Sequence, residues 1–217
     1  MRWRQQVAAQ RKPAFKDQQY WGRPVPGFGD PAASLVLLGL APAAHGANRT
    51  GRMFTGDRSG DFLYAALSRA GLANMPTSVS AHDQLQLRGV WVTAAVRCAP
   101  PANKPTSEER DNCLPWTLRE LALLHNARVL LCLGAFAWDA GLRLRSSIEA
   151  DAKRDRFSHR VVSPGRALTL VGCYHPSQQN TFTRRLTEEM IDEVLAIAVQ
   201  LAADLTSASP PARRAPR

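Results

Sequence analysis

Four short apolar runs, each bounded by turn-forming residues, predict buried strands in this chain. They occupy residues 35–38, 90–96, 128–133 and 168–173. Between and after them, apolar residues recur three and four positions apart, a spacing typical of helices that cover a sheet. Strands that alternate with helices predict right-handed crossovers and a parallel sheet covered on both faces. We therefore expect an α/β protein: a three-layer α/β/α sandwich around a central, mainly parallel four-stranded sheet.

The remaining local signals refine this outline. Thr106 and Glu109 form a capping box that predicts a helix start, and Pro115 is expected to begin a second helical piece. Residues 1–20 predict a helix broken near Pro13, and residues 145–160 are charged and irregular. We expect one domain over residues 1–205 and a disordered basic tail over residues 206–217.

Composition narrows the class of protein. A chain of 217 residues with 45% hydrophobic content can bury the core of one globular domain. No apolar run is long enough to cross a membrane, and the N-terminus lacks a signal-peptide pattern, so we expect a cytoplasmic protein without a membrane partner. The 28 Lys and Arg residues against 18 Asp and Glu give a net charge of +10, which favours a polyanionic partner. A merely soluble basic protein is the alternative.

A long glycine-containing loop, GLAPAAHGANRTGRMFTGD at residues 39–57, follows the first predicted strand. Loops at the carboxyl ends of strands are where open α/β sheets place ligands. Its glycines let the backbone approach a ligand, and Arg49 and Arg52 suit a phosphate. The spacing matches neither a Walker loop nor a dinucleotide fingerprint.

This loop also resembles the first motif of the uracil-DNA glycosylase superfamily, in the version carried by family five (type b). VRCAPPANKP at residues 96–105 resembles the middle motif, and HPSQQNT at residues 175–181 resembles the last. The likeness runs in order from about Trp3 to the helix after Thr183. It implies the three-layer α/β/α fold, an enzyme that removes uracil from DNA, and uracil-containing DNA as the partner of a monomer.

Removing a base hydrolytically requires that the base be held outside the stack, that charge on its oxygen be stabilised, and that water be placed near the sugar. Phe54 is a candidate for stacking on the base, and His175 for donating a hydrogen bond to it. Asp57 is a candidate for orienting water or stabilising the sugar cation, and Asn103 for reading the base edge. The alternatives are a packing Phe, a backbone-bound His, a helix N-cap and a turn Asn.

Ala41 and Ala43 stand where many superfamily members carry polar side chains, and Ala94 stands where many carry an amide. Together with Asn48, Ala41 and Ala43 complete the predicted base-binding set. A less polar pocket rejects wrong bases less strictly, since unpaired buried polar groups supply that rejection. We therefore expect activity on other deaminated bases such as hypoxanthine.

Phosphate contacts are predicted at the N-terminus of the final helix, where backbone donors favour anions, and Thr183 is one candidate there. Gln178 and Gln179 are candidates for entering the duplex, with a polar loop as the alternative. At position 184 the family usually has Gly, and this chain has Arg. The predicted DNA-binding residues are Arg49, Arg52, Ser177, Gln178, Gln179, Asn180, Thr181 and Arg184.

The resemblance further implies a 4Fe-4S cluster on four cysteines, with Cys98 and Cys113 at the positions of the later pair. Cys132 and Cys173 lie inside apolar strands and are interpreted as core residues. The early pair is absent from the sequence, so either the sequence begins after those ligands or the protein lacks the cluster. We favour the late beginning, because two unpartnered cysteines are otherwise hard to explain. A disulfide is not expected in a reducing compartment.

We therefore predict a monofunctional DNA glycosylase that starts base excision repair. Lys104 is the only lysine in the three motif loops, so a Schiff-base lyase step is not expected. One alternative is a catalytically silent binder of damaged DNA, against which Asp57 and His175 argue. Another is an α/β phosphohydrolase, against which the lack of a dense carboxylate or histidine cluster argues.

Overall fold

A computed structural model describes residues 2–151 and 153–207, and its centre is a parallel sheet. The six strands are β1 (Phe28–Gly29), β2 (Leu35–Gly39), β3 (Val90–Ala94), β4 (Val129–Leu133), β5 (Val162–Ser163) and β6 (Thr169–Cys173). They lie in the order β1-β3-β2-β4-β6-β5, and the inner four are parallel. Leu37 pairs with Val92 on one side and Leu131 on the other. The four strands predicted from the sequence are thus confirmed.

The sheet has two strands more than predicted. β1 pairs antiparallel with β3, and β5 pairs antiparallel with β6, so each closes one edge of the parallel core. Each has two residues, too few for an alternating pattern to register in the sequence. The prediction of a four-stranded sheet was therefore wrong in its count and right in its mainly parallel core.

Helices cover both faces of the sheet. They are α1 (Arg2–Gln10), α2 (Ala47–Thr50), α3 (Arg58–Arg69), α4 (Ser107–Leu123), α5 (Ala135–Ile148), α6 (Gln178–Phe182) and α7 (Glu188–Ser207). Leu35 and Leu37 belong to the core beneath α3 and α7, whereas Val36 and Leu38 belong to the core beneath α4 and α5. Both faces are buried because successive strand residues point to opposite sides and helices cover each. The α/β/α prediction is confirmed.

Three helix boundaries differ from the prediction. Pro115 lies inside α4, which continues through it after the capping box of Thr106 and Glu109. α5 extends to Ile148, into the stretch predicted to be irregular. The segment after His175 forms α6, a helix separate from the long α7, so the motif does not begin the final helix. Pro115 removes one backbone donor, and here this loss does not end the helix.

The C-terminal helix α7 ends at Ser207, so its last turn includes the first two residues of the predicted tail. The other predicted tail residues, 208–217, lie outside the described residues. Across the described part of the chain, every helix is too short or too polar to span a bilayer.

Candidate active site

A cavity of about 650 Å³ opens at the carboxyl edge of the parallel strands. Leu40 after β2, Ala94 at the end of β3 and His175 after β6 all line it. The other lining residues are Ala41, Ala43, Ala47, Met53, Phe54, Asp57, Arg58, Ser59, Ala102, Asn103, Lys104, Ser177, Gln178, Gln179 and Asn180. Its volume falls within the roughly 300–1,000 Å³ usual for ligand pockets. The three sequence motifs therefore meet at one place, because the carboxyl ends of parallel strands share one edge of the sheet.

Phe54 presents an aromatic ring to the cavity from a left-handed backbone conformation, with φ of 53°. Two glycines make room for it. A Cβ at Gly39 would lie 2.7 Å from the ring, and a Cβ at Gly60 would lie 1.7 Å from the carbonyl oxygen of Phe54. A side chain at either position would displace Phe54. The loop and the first turn of α3 thus fix the ring against the end of β2, where it can stack on a flat ligand.

Asp57 has both the capping role and a place in the cavity. Its Oδ1 accepts a hydrogen bond of 3.0 Å from the Gly60 backbone N–H, which makes it the N-cap of α3. A Cβ at Gly46 would lie 2.0 Å from Oδ2, so the α2 loop leaves space for the carboxylate only because residue 46 is glycine. Burial raises the pKa of Asp57, although the backbone donors of Gly60 and Ser59 oppose this effect. The result is a desolvated carboxylate held in one orientation.

His175 lies beside Phe54 in the cavity wall, with 6.2 Å between the ring centroids. Its carbonyl oxygen accepts a 2.8 Å hydrogen bond from Nδ2 of Asn180, which holds the loop between β6 and α6. On the other side, Gly134 allows close packing, since a Cβ there would lie 3.2 Å from the Cβ of His175. Burial lowers the pKa of His175 to about 4. At neutral pH the ring is therefore an uncharged imidazole that can donate one hydrogen bond.

Asn103 approaches the cavity from the loop after β3, and it is exposed to solvent. It ends a short 3₁₀ segment, Pro101–Asn103, and both Ala102 and Asn103 have left-handed backbone conformations, with φ of 51° and 55°. Asparagine adopts this region more readily than most residues. The turn interpretation is therefore correct for its backbone, while its amide is placed where it can contact a ligand.

Ala41, Ala43 and Ala94 form an apolar part of the cavity wall, as the sequence predicted. Asn48 does not join them. It is fully buried, and its Nδ2 donates hydrogen bonds of 3.2 Å to the Arg4 carbonyl and 3.4 Å to the Ala44 carbonyl. Asn48 thus ties the glycine loop to α1, and the structure does not support its predicted contact with a base.

The two loop arginines predicted to bind phosphate have intramolecular partners instead. Arg52 is buried, forms an ion pair with Asp83, and donates a 2.6 Å hydrogen bond to Ser78 Oγ. Arg49 donates to the carbonyl oxygens of His45 and Gly56 at 2.7 and 3.1 Å, and its guanidinium lies over Phe15. Both side chains brace the glycine loop, and the structure places neither in the cavity.

The third motif places its polar residues around α6. Ser177 caps this helix by accepting from the Asn180 backbone N–H at 3.4 Å, while Thr181 donates to the Ser177 carbonyl at 3.2 Å. Ser177, Gln178, Gln179 and Asn180 line the cavity, and Thr181 does not. Arg184 is exposed and left-handed, with φ of 56°. A glycine adopts this conformation without strain, which explains the family's usual choice at this position.

Arg58 and Lys104 line the cavity although sequence reasoning did not select them for it. Arg58 is the first residue of α3, directly after Asp57, and it is exposed. A cation in the first turn of a helix opposes the helix dipole, so its presence there was a signal of another role. Lys104 was considered only as a nucleophile for strand cleavage.

Cys98 and Cys113 are both partly buried free thiols. Arg4 donates a 3.0 Å hydrogen bond to the Cys98 sulfur, and burial raises the pKa of Cys113. Cys132 and Cys173 are buried strand residues, as predicted. Within residues 2–151 and 153–207, no three or more His, Cys, Asp or Glu side chains form a metal-binding group. A 4Fe-4S cluster needs four thiolates, so the described residues do not by themselves fit one.

Comparison with known proteins shows which family this chain resembles. The profile of the Uracil DNA glycosylase superfamily matches residues 26–198. A type-5 uracil-DNA glycosylase of Mycobacterium tuberculosis is 55% identical over 202 residues, covering 92% of this chain and 75% of the relative. That of Thermus thermophilus is 52% identical over 200 residues (92% and 90%), and that of Pyrobaculum aerophilum is 46% identical over 181 residues (83% and 77%). The chain therefore belongs to the uracil-DNA glycosylase superfamily, and within it to the type-5 family.

Proposed function

We propose that this protein hydrolyses the N-glycosidic bond between uracil and deoxyribose in DNA, and thereby starts base excision repair. The observation that carries the proposal is the convergence of Phe54, Asp57, Asn103 and His175 on one cavity. These residues come from three separate loops, and each offers a different contact with an extruded nucleotide. The high identity to type-5 uracil-DNA glycosylases supports the same activity.

Binding of the base depends on the Phe54 ring, on the alanine wall of the cavity and on the amide of Asn103. Phe54 offers its face to the pyrimidine ring, while Ala41 and Ala43 exclude water from the other contacts. The Asn103 amide carries both a donor and an acceptor, the combination that an imide edge of uracil requires. An extruded base is held by stacking and edge contacts in this way before the bond breaks.

Bond cleavage depends on the two titratable groups. As the bond breaks, negative charge grows on the base and positive charge on the sugar. Neutral His175 donates a hydrogen bond to the developing oxyanion and needs no proton transfer to do so. The Asp57 carboxylate stabilises the sugar cation and orients the attacking water. In a desolvated cavity both interactions are stronger than in bulk water.

The reaction is proposed to stop at the abasic site. A lyase step needs an amine that attacks the sugar, and among the described residues lining the cavity only Lys104 carries a primary amine. Its side chain is exposed at the rim. Intact product DNA after base release, and no borohydride-trapped adduct, are the expected results. A trapped adduct that Lys104→Ala removes would contradict a monofunctional reaction.

We further propose that the enzyme accepts hypoxanthine. The wall formed by Ala41, Ala43 and Ala94 places no polar side chain there to be left unpaired by a different base. Single-turnover release of hypoxanthine from duplex DNA tests this proposal. Uracil as the sole substrate would contradict it.

The test of the central proposal is release of free uracil from a duplex, with His175→Ala and Asp57→Asn as variants. We expect release by the unaltered protein and a loss of at least 10²-fold in each variant, in line with typical contributions of such groups. Binding without release by the folded, unaltered protein would favour the silent DNA-binding alternative. Circular dichroism of each variant separates lost chemistry from lost folding.

The oligomeric state and the iron-sulfur cluster are two further proposals. The monomeric state expected from the sequence also stays a prediction. Light scattering of the protein with and without DNA tests this. The 4Fe-4S cluster implied by the resemblance also stays a prediction, for which the described residues offer the two partly buried free thiols of Cys98 and Cys113. Iron and sulfide analysis of the purified protein, compared with Cys98→Ser, tests it.

A further inference from the structure

His159 contacts the backbone directly before His175, the residue that stabilises the departing base in the proposed reaction. Its Nδ1 accepts a hydrogen bond of 3.3 Å from the Tyr174 N–H. Its ring also stacks on the Tyr174 ring, with 4.9 Å between the centroids and 17° between the planes. His159 itself does not line the cavity. Its two contacts therefore reach the reaction only through Tyr174 and His175.

The peptide group between Cys173 and Tyr174 is held on both sides. Its carbonyl oxygen accepts a 2.7 Å hydrogen bond from the Gly134 N–H, and its N–H donates to His159. Supporting hydrogen bonds of this kind are what hold a functional side chain in one geometry, and the side chain here is that of His175. The Gly134 donor belongs to the backbone, so the contact from His159 is the one of these two that a substitution can remove.

A β-bulge aims His159 at this peptide. Arg160 and Val161 both lie opposite Gly172, since the Arg160 N–H donates to the Gly172 carbonyl and the Gly172 N–H donates to the Val161 carbonyl, each at 2.8 Å. Arg160 has φ of 64°, the left-handed conformation of the first residue in one class of bulge. A Cβ at Gly172 would lie 2.5 Å from the Ser158 carbonyl oxygen, so the turn packs this closely because residue 172 is glycine. Bulges are common beside active sites, where they re-aim a side chain.

The His159 ring is suited to accepting a hydrogen bond. Burial and the neighbouring Arg160 charge lower the pKa of His159, although Glu193 opposes this effect, so the ring is uncharged at neutral pH. Since Nδ1 accepts from Tyr174, the ring proton lies on Nε2. Nε2 is buried and has no hydrogen-bond partner among the described residues. The hydrogen bonding of the ring with this part of the chain is therefore directed at Tyr174.

We propose that His159 is a positioning residue for base removal: it fixes the peptide before Tyr174 and so holds the His175 imidazole where it donates to the departing base. The proposal rests on the glycosylase activity proposed above. A misplacement of about 1 Å in a reacting group can slow a reaction by about 10²-fold. His159 thus acts without touching DNA, and its loss changes the rate of bond cleavage while DNA binding stays the same.

Three substitutions separate the hydrogen bond from the stacked ring. His159→Asn keeps an acceptor, since Oδ1 of asparagine and Nδ1 of histidine are both attached to Cγ. His159→Phe keeps a ring without an acceptor, and His159→Ala has neither. We expect single-turnover uracil release to be about 10²-fold slower in the Phe and Ala variants, and within about tenfold of normal in the Asn variant. Affinity for a duplex that carries non-hydrolysable 2′-fluoro-2′-deoxyuridine should stay within about threefold of normal in all three.

A double-mutant cycle distinguishes positioning from a general structural role. In the His175→Ala background the imidazole is gone, so its placement no longer matters. His159→Ala should therefore slow release by about 10²-fold in the otherwise unaltered protein, and by less than about threefold when combined with His175→Ala. Equal losses in the two backgrounds would overturn the proposal. So would a parallel loss of rate and affinity, or a normal rate in His159→Phe.

His125→Ala is the matched control, because His125 is an exposed histidine after the end of α4 and is not among the cavity-lining residues. It should leave rate and affinity unchanged, and a loss equal to that of His159→Ala would overturn the proposal. Circular dichroism reports the folding of each variant. If His159→Ala does not fold, the Asn and Phe variants, whose side chains leave a smaller space, decide the outcome. If the unaltered protein bound the duplex and released no uracil, the glycosylase proposal would fail and this inference with it, whereas failure of the positioning role alone shows only in the variants.

Discussion

Replacing Asp57 by asparagine and, separately, by alanine distinguishes its helix-capping contact from its charge. The Oδ1 atom accepts from the Gly60 N–H, and this contact stabilises α3 whether or not the carboxylate takes part in the reaction. Asparagine retains an oxygen for this bond, and Asn is as good an N-cap as Asp. Alanine removes both the bond and the charge.

The two variants should differ in stability. Loss of an N-cap costs about 1 kcal/mol, which in a chain of 217 residues lowers Tm by about 2–4 °C. We expect this decrease for Asp57→Ala. Burial raises the pKa of Asp57, so the folded protein holds the proton more tightly than the unfolded chain. The ionised group therefore destabilises the fold increasingly as pH rises through that pKa, and Asp57→Asn should be at least as stable as the unaltered protein at pH 7.

Both variants should be nearly inactive. Loss of the charge is expected to slow single-turnover uracil release by about 10²–10⁴-fold, the usual contribution of a positioned general acid or base. For the unaltered protein, the rate should fall as pH decreases through the raised pKa of Asp57, above the usual range of an aspartate. An Asp57→Asn protein that keeps its stability and stays within tenfold of the normal rate would refute the reasoning. Asp57 would then be a helix cap alone.

Three further predictions follow from contacts around the site. Gly46→Ala would bring a Cβ to 2.0 Å from the Asp57 carboxylate and so displace that carboxylate. A displacement of about 1 Å should slow uracil release by about 10²-fold. A normal rate in this variant would contradict the contact. Arg52→Met should lower the free energy of unfolding in urea by about 1–3 kcal/mol, because Asp83 loses its charged partner and keeps only its backbone donors. The salt dependence of DNA binding should stay unchanged, and a reduced salt slope would restore Arg52 as a phosphate ligand. In the unaltered protein, lowering pH from 6.5 towards 4 should cost about 3 kcal/mol of stability, because the unfolded chain protonates His175 and the folded protein does not. His175→Gln should abolish that part of the acid sensitivity. An identical dependence of stability on pH in this variant would show that the ring is not buried in its neutral form.

The meeting of Phe54, Asp57, Asn103 and His175 could be predicted from the sequence. Each belongs to a loop that follows an apolar strand pattern, and parallel strands bring such loops to one edge. The pattern fixes which residues follow each strand, so the grouping needs no knowledge of side-chain packing. The distances within the group, such as that between Phe54 and His175, depend on packing around Gly39 and Gly134 and could not be predicted in this way.

The roles of the loop arginines could not be predicted locally. Arg52 is paired with Asp83, 31 positions along the chain, in a connection whose residues show only turn signals and scattered polar positions. Arg49 binds carbonyl groups of its own loop, and a carbonyl leaves no trace in the residue pattern. A basic residue in a glycine loop therefore predicts a phosphate only when no buried acceptor is available.

Two kinds of feature were missed for other reasons. β1 and β5 are too short to show alternation, and they form because they pair with edges already made by β3 and β6. The unfavourable place of Arg58 at a helix N-terminus was the one local signal available for this part of the rim.

The left-handed backbone of the cavity wall has a consequence for attempts to improve the protein. Three of the seven non-glycine residues with positive φ in the described chain are Phe54, Ala102 and Asn103, and all three line the cavity. Glycine would relieve backbone strain at Ala102, but at Phe54 the loss of the ring's packing against the core outweighs that relief, and asparagine already tolerates the conformation at Asn103. A selection for thermal tolerance alone would therefore retain Phe54 and would change the loop that carries the Asn103 amide first. Screens for more thermostable variants should therefore measure uracil release in parallel, or leave these three positions unchanged.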